Sequence, residues 1–290
     1  MRAFSVCFLL MVALLPWATP ALAQDTPPDP ASAEVSQDAP PADTPLAGEP
    51  SDPLGDAARA VLDRYRKAVV TLKIVVSVSF GNNESENETE ANATMLTPDG
   101  LAVLALSAID PTALLGAEIT ADPDNPFSLR VVSLKMILPS GEEREAEVVL
   151  RDKDLDVVFV RLKEVPAEPL PFADPAQAAD SVRILDPYVC IGQEGPVVQR
   201  AHTAFIDRIE GVVERPRTYY LVSRTRIQQI LCSPLFTPGG HLIGFGVARQ
   251  NRNDDEDNDL LAVVIPAAQI RELMGQVPPR GETPAEPPQP

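Results

Sequence analysis

Histidine, cysteine, aromatic residues and positive charge are all scarce in this chain. Two histidines in 290 residues, His202 and His241, leave little material for acid–base chemistry near neutral pH, where imidazole is the usual proton carrier. Three cysteines, Cys7, Cys190 and Cys232, are too few for a disulfide scaffold and too far from any His cluster for a zinc site. Lys and Arg number 24 against 42 Asp and Glu, a net charge of −18, which argues against nucleic acid or an anionic membrane surface as partner. Beyond the first 23 residues no apolar run reaches the length of a membrane span, so no membrane insertion is expected. No phosphate-binding or cofactor motif occurs.

What is present divides the chain. Arg2, the apolar run Phe8–Leu15 and the small-residue pattern Ala21-Leu22-Ala23 form a secretory signal peptide over residues 1–23, which places the protein in the periplasm or outside the cell. Residues 24–55 hold seven acids, eight prolines and no Lys or Arg, the composition of a disordered, extended linker. From Val277 to Pro290 six prolines repeat that habit and give a second solvated spacer. The folded part is expected over 56–276. Removal of the leader takes Cys7 with it, leaving Cys190 and Cys232 either paired or free.

Within that part β patterning dominates. Asp56–Val69 has helical spacing at Ala58, Val61, Leu62 and Tyr65, and Val70–Phe80 is a β-branched run. The acidic stretch Gly81–Glu90 is expected as a polar loop. Three Asn-X-Ser/Thr sequons at Asn83, Asn87 and Asn92 are glycan acceptors in a eukaryotic secretory pathway, and only polar residues in a bacterium. Residues 111–129 are rich in turn formers and are expected as a surface loop. Strands are expected at 130–139 and 145–151 around Pro139-Ser140-Gly141, then at 157–162, 184–192, 197–209 and 218–223. Ile227–Val247 is expected as a hairpin turning at Pro238-Gly239-Gly240. Asp254, Asp255, Glu256, Asp257 and Asp259 lack the glycine and spaced Glu of a calcium loop, and are expected as a solvated hairpin tip. Pro266 opens a last short helix, AAQIRELM.

The order of these segments resembles the trypsin-like (chymotrypsin-fold) serine proteases, in particular the HtrA/DegP type. ANATMLTPDG (91–100) is similar to that family's GSGFIISPDG, and DKDLDVVFVRL (152–162) to its DPRTDLAVLKI. ILDPYVCIG (184–192) is similar to VGDWVLAIG, Pro234-Leu235 to the end of GNSGGPL, and Leu242–Phe245 to VIGI. The resemblance runs from about Ala58 to Met274 and implies an all-β, two-barrel fold with short N- and C-terminal helices. Barrel one would occupy about 66–165 and barrel two about 170–265, with no PDZ domain following.

The resemblance also implies a degenerate active site. The general-base histidine falls on Ser107, the orienting aspartate on Asp156 and the nucleophilic serine on Leu231. The glycine that shapes the oxyanion hole falls on Gln229, where a side chain disfavours positive φ. A serine hydroxyl takes no proton near neutral pH and leucine has no nucleophile. The function implied is an exported, catalytically inactive homologue that binds a protein or peptide ligand. The alternatives are an active serine endopeptidase with a rearranged site using Ser107 or Ser233, and an architectural envelope protein held by its Pro-rich arms.

Overall fold

Aliphatic runs separated by Pro- and Gly-bearing turns build two β units, seen in a computed structural model that describes residues 51–80, 83–114, 127–250 and 260–281. The chain enters through helix α1 (Pro53–Tyr65), whose Ala58, Val61 and Tyr65 are buried. The helix starts inside the stretch read as linker and ends before Val69, with a 3-10 turn over Arg66–Ala68 leading into the first strand. The first unit comprises β1 (Val69–Phe80), β2 (Asn83–Met95), β3 (Leu101–Ala105), β4 (Phe127–Ile137), β5 (Glu143–Asp152) and β6 (Val157–Leu162), closed into a barrel in the order β1-β2-β3-β6-β5-β4. Every residue of β3 and β6 is buried, which accounts for their reading as continuous rather than alternating apolar runs. The expected Pro-Ser-Gly turn joins β4 to β5: Gly141 takes φ 85°, a conformation costly for any residue with a Cβ.

The second unit comprises β7 (Pro187–Gln193), β8 (His202–Arg208), β9 (Gly211–Val213), β10 (Tyr219–Leu221), β11 (Pro234–Phe236), β12 (Leu242–Gln250) and β13 (Leu260–Pro266). It is a curled sheet ordered β8-β7-β11-β12-β13-β10-β9 and, unlike the first, does not close. All strand pairs are antiparallel. A short helix, α2 (Ile227–Ile230), precedes β11, and helix α3 (Ala267–Met274) follows β13. The architecture is therefore all-β and two-unit, with short helices at either end.

One apolar core runs through both units. Leu72, Met95, Phe159 and Leu162 of the first pack in the same cluster as Val189, Phe236, Phe245 and Ile265 of the second. Tyr65 of α1 stacks on Phe236 at 4.3 Å between ring centroids and donates its hydroxyl to the Gly240 carbonyl at 3.0 Å. The last described residues are tied to barrel one. Arg280 donates to the carbonyls of Asp99 at 2.6 Å and Leu162 at 2.8 Å, and Arg161 donates to that of Pro278 at 2.8 Å.

Several expectations are corrected. The acidic stretch from Asn83 to Glu90 is no loop but the outer part of β2, held residue for residue against β1 from Phe80↔Asn83 to Val69↔Thr94. Main-chain pairing with β1, itself bonded to β4 beyond, overrides the low strand propensity of Glu and Asn. Pro111–Leu114 forms a 3-10 turn and β4 starts at Phe127, inside the expected loop. The long strand expected over 197–209 is a 3-10 turn at Pro196–Val198 followed by β8. The spacer expected from Val277 is anchored as far as Arg280. The expected signal peptide over 1–23, residues 24–50, the acidic stretch 254–259 and the tail 282–290 lie outside the described residues.

Candidate functional site

Ser107 and Asp156 meet at the seam between the units. Ser107 sits in the 3-10 turn Leu106–Ala108 that ends β3, and Asp156 in the turn that opens β6, the strand paired with β3. Ser107 donates its Oγ to Asp156 Oδ2 at 2.9 Å and its N–H to Oδ1 at 2.7 Å. From the other unit the Ala248 N–H donates to Oδ2 at 3.2 Å. Asp156 is a non-glycine residue at φ 56°, a conformation Asp tolerates better than most; the three donors hold it there. Burial drives its carboxyl above the ordinary carboxylate range, and the hydrogen bonds from Ser107 and Ala248 oppose this only in part. The two bonds from Ser107 fix the carboxylate within the first unit, and the one from Ala248 ties it to the second.

Leu231 faces the cleft, but the chain leading to it has the wrong shape for an oxyanion hole. Ile227–Ile230 coils into α2, and the Leu231 N–H donates to the Ile227 carbonyl at 2.9 Å. An oxyanion hole needs that N–H pointing at substrate. The expected hairpin forms about the expected turn, with β11 meeting β12 from Leu242 to Phe245, but its first arm starts only at Pro234 because Ile227–Ile230 is helical. The segment is set by Gly246 of β12, which pairs with Leu231 and where an added Cβ would stand 2.0 Å from the Ile230 carbonyl oxygen. The strain expected at Gln229 does not arise, because Gln229 is helical. Its side chain is exposed and accepts from Arg226 at 3.2 Å.

The positive φ falls instead on Cys232, at 63°. In the sequence this residue stands out only as one of two cysteines paired or free, and nothing local marks its left-handed conformation. Its Sγ accepts from the Ala105 N–H at 3.3 Å, a second link between the units. Burial pushes its thiol up to about 12, with the Ala105 N–H pulling back and the Asp156 charge adding. Cys190 on β7, also buried, is pushed up to about 12 by burial as well, and its thiol faces the Gln229 carbonyl at 3.8 Å. Both cysteines are free, so the pairing left open by the sequence is not made.

Among the described residues no nucleophile–base pair is seen elsewhere. Ser233 is fully buried. His202 on β8 lies 3.4 Å from the Val69 carbonyl through Nε2, and His241 is exposed in the turn before β12. Among the described residues neither bonds to Ser107 or Ser233. Among the described residues there is also no group of three or more His, Cys, Asp or Glu placed to hold a metal ion, and no helix long and apolar enough to cross a membrane.

A cleft of about 340 Å³ remains at the seam. Leu231, Cys232 and Gln228 form its floor, with Thr71, Glu90 and Asn92 on the first-unit side and Gln193 and Glu194 on the second. The walls are bridged by Thr71 Oγ1 donating to Gln193 Oε1 at 2.8 Å and by the Arg200–Glu90 ion pair. Of the three sequons, Asn83 is exposed and Asn87 half-exposed on β2, whereas Asn92 lines the cleft with Thr94 of its sequon fully buried. No protein-family model matches the chain and no curated protein matches it.

Proposed function

We propose that this chain is an exported, catalytically silent relative of the trypsin-like serine proteases, of HtrA type, that holds a protein or peptide segment in the cleft between its β units. The observation that carries the reading is the state of Leu231: a residue without a nucleophile occupies the serine position of the motif, and its N–H is spent on Ile227. Ser107 at the histidine position supports it, since its hydroxyl donates to Asp156 rather than accepting a proton. In a protease studied by mutation, loss of the nucleophile alone costs on the order of a millionfold. A cleft open to solvent and lined by the polar side chains of Thr71, Glu90, Gln193 and Glu194 suits an extended peptide better than a small apolar ligand. Export rests on the leader pattern of residues 1–23.

The test is to expose the purified mature protein to a fluorophosphonate serine probe and to unfolded casein. No labelling and no cleavage are expected. Labelling at Ser107 or Ser233 together with cleavage would overturn the reading in favour of an active endopeptidase.

A further inference from the structure

The β1–β2 arm has an unused hydrogen-bonding edge. β1 is bonded on both sides, to β2 along its length and to β4 from Thr71 to Phe80. β2 is bonded to β1 throughout but to β3 only at Thr94 and Met95. From Asn83 to Ala93 its outer edge therefore has no strand partner among the described residues. The N–H and C=O groups of such an edge are a template for one more strand. Proteins ordinarily keep free edges short or break them with Pro or bulges. The sequence NESENETEANA contains neither Pro nor Gly, and its register with β1 has no shift. The inner end of the edge is also a wall of the cleft, through Thr89, Glu90, Ala91 and Asn92.

Charge selects the occupant. The two-residue period puts Glu84, Glu86, Glu88 and Glu90 on one face of β2, about 7 Å apart. Glu88 is paired with Lys73 at 3.2 Å and Glu90 with Arg200, whereas Glu84 and Glu86 are exposed and have no ion pair among the described residues. Among the described residues these glutamates form no group of three or more placed to hold one metal ion. A second copy of the chain would set one row of glutamates against another, which is destabilising across strands. A strand with Lys or Arg at alternate positions sets a cation beside each carboxylate instead.

We propose that the free edge of β2 from Asn83 to Ala93 takes an added β-strand from a partner protein, an extended segment with Lys or Arg at every second residue, running toward the cleft. The same glutamate row keeps the edge from pairing with other copies of this acidic chain. The proposal concerns the edge and holds with or without occupancy of the cleft.

The experiment uses the full mature protein and a fluorescent peptide of about ten residues that alternates Lys with Val or Thr. Fluorescence anisotropy is expected to show binding that weakens steeply with salt. Two further peptides, N-methylated on the backbone at the odd or at the even Val/Thr–Lys positions, separate strand addition from charge adhesion: one should lose binding more than tenfold and the other retain it. The variant E84Q/E86Q/E88Q changes exposed side chains only, and should weaken binding at least tenfold at low salt. The charge-matched variant E164Q/E168Q/E210Q, at exposed positions neither on β2 nor lining the cleft, should leave it unchanged. No binding of the parent peptide, equal binding of both methylated peptides, or indifference to E84Q/E86Q/E88Q would each overturn the proposal. Binding lost in Gln228→Trp, on the cleft floor, but insensitive to N-methylation and to the glutamates would sink the edge while supporting the cleft as the peptide site.

Discussion

Ser107 binds Asp156 twice, through its hydroxyl at 2.9 Å and its N–H at 2.7 Å, one to each carboxylate oxygen. Removing the hydroxyl deprives a buried carboxylate of a donor, and hydrogen bonds to charged groups contribute about 1.5–3 kcal/mol. Ser107→Ala should lower the unfolding free energy by about that amount, measured by urea titration near pH 7. A change under about 0.5 kcal/mol would show that the pair does not hold the seam.

The direction of the Asp156 shift fixes a pH dependence. Its folded carboxyl lies above the ordinary value of 3.8, chiefly through burial. Stability from this group is therefore fully present below 3.8, where it is protonated folded and unfolded alike, and is lost as pH rises through the raised folded value. Asp156→Asn removes the titration, so the stability of the wild type relative to this variant should fall across that mildly acidic window and then level off. Thermal unfolding of both proteins at a series of pH values would reveal it; a relative stability that rises across the window would contradict it.

Placing the histidine and serine of the trypsin-like motif at positions 107 and 231 should not create activity. In S107H/L231S the N–H of residue 231 still points to the Ile227 carbonyl, because Gly246 and the Ile230 carbonyl keep α2 seated on β12. Neither fluorophosphonate labelling nor casein cleavage above background is expected from that double variant. Cleavage would mean that α2 unwinds readily.

Cys190 and Cys232 should be silent toward a thiol reagent such as dithionitrobenzoate in the native protein at pH 8. Both are buried free thiols pushed up to about 12, and the thiolate is the reactive form. In protein lacking residues 1–23, and with them Cys7, two equivalents should react once denaturant is added. Rapid labelling of the native protein would indicate that the seam opens.

How far the residues announced this arrangement differs from segment to segment. Val157–Leu162 and the turn at Gly100, with φ 97°, were readable because a buried run and a Pro-Asp-Gly turn have few other realisations. The β patterning was local, whereas the two-unit layout came from the resemblance of these segments, in order, to the trypsin-like proteases. The outer part of β2 was not readable, since Glu and Asn become a strand there only through the ladder to β1. Ile227–Ile230 was equally opaque: IQQI suits a strand or a helical turn, and the choice falls to Gly246 of β12, which lets α2 approach. At the site, Ser107, Asp156 and Leu231 were picked out only through the resemblance to the trypsin-like motifs. The left-handed Cys232 and the threefold bonding of Asp156 depend on chain crossings between units, which no local pattern encodes.

The clasp made by Arg280 bears on how the molecule is assembled. All six strands of the first barrel precede residue 163, yet its fastening to Asp99 and Leu162 comes from a residue made more than a hundred positions later. During synthesis the barrel completed first is the one secured last, after the whole second sheet has emerged. A chain halted short of Arg280 would leave the ribosome with every strand present and its earliest-built half unlatched.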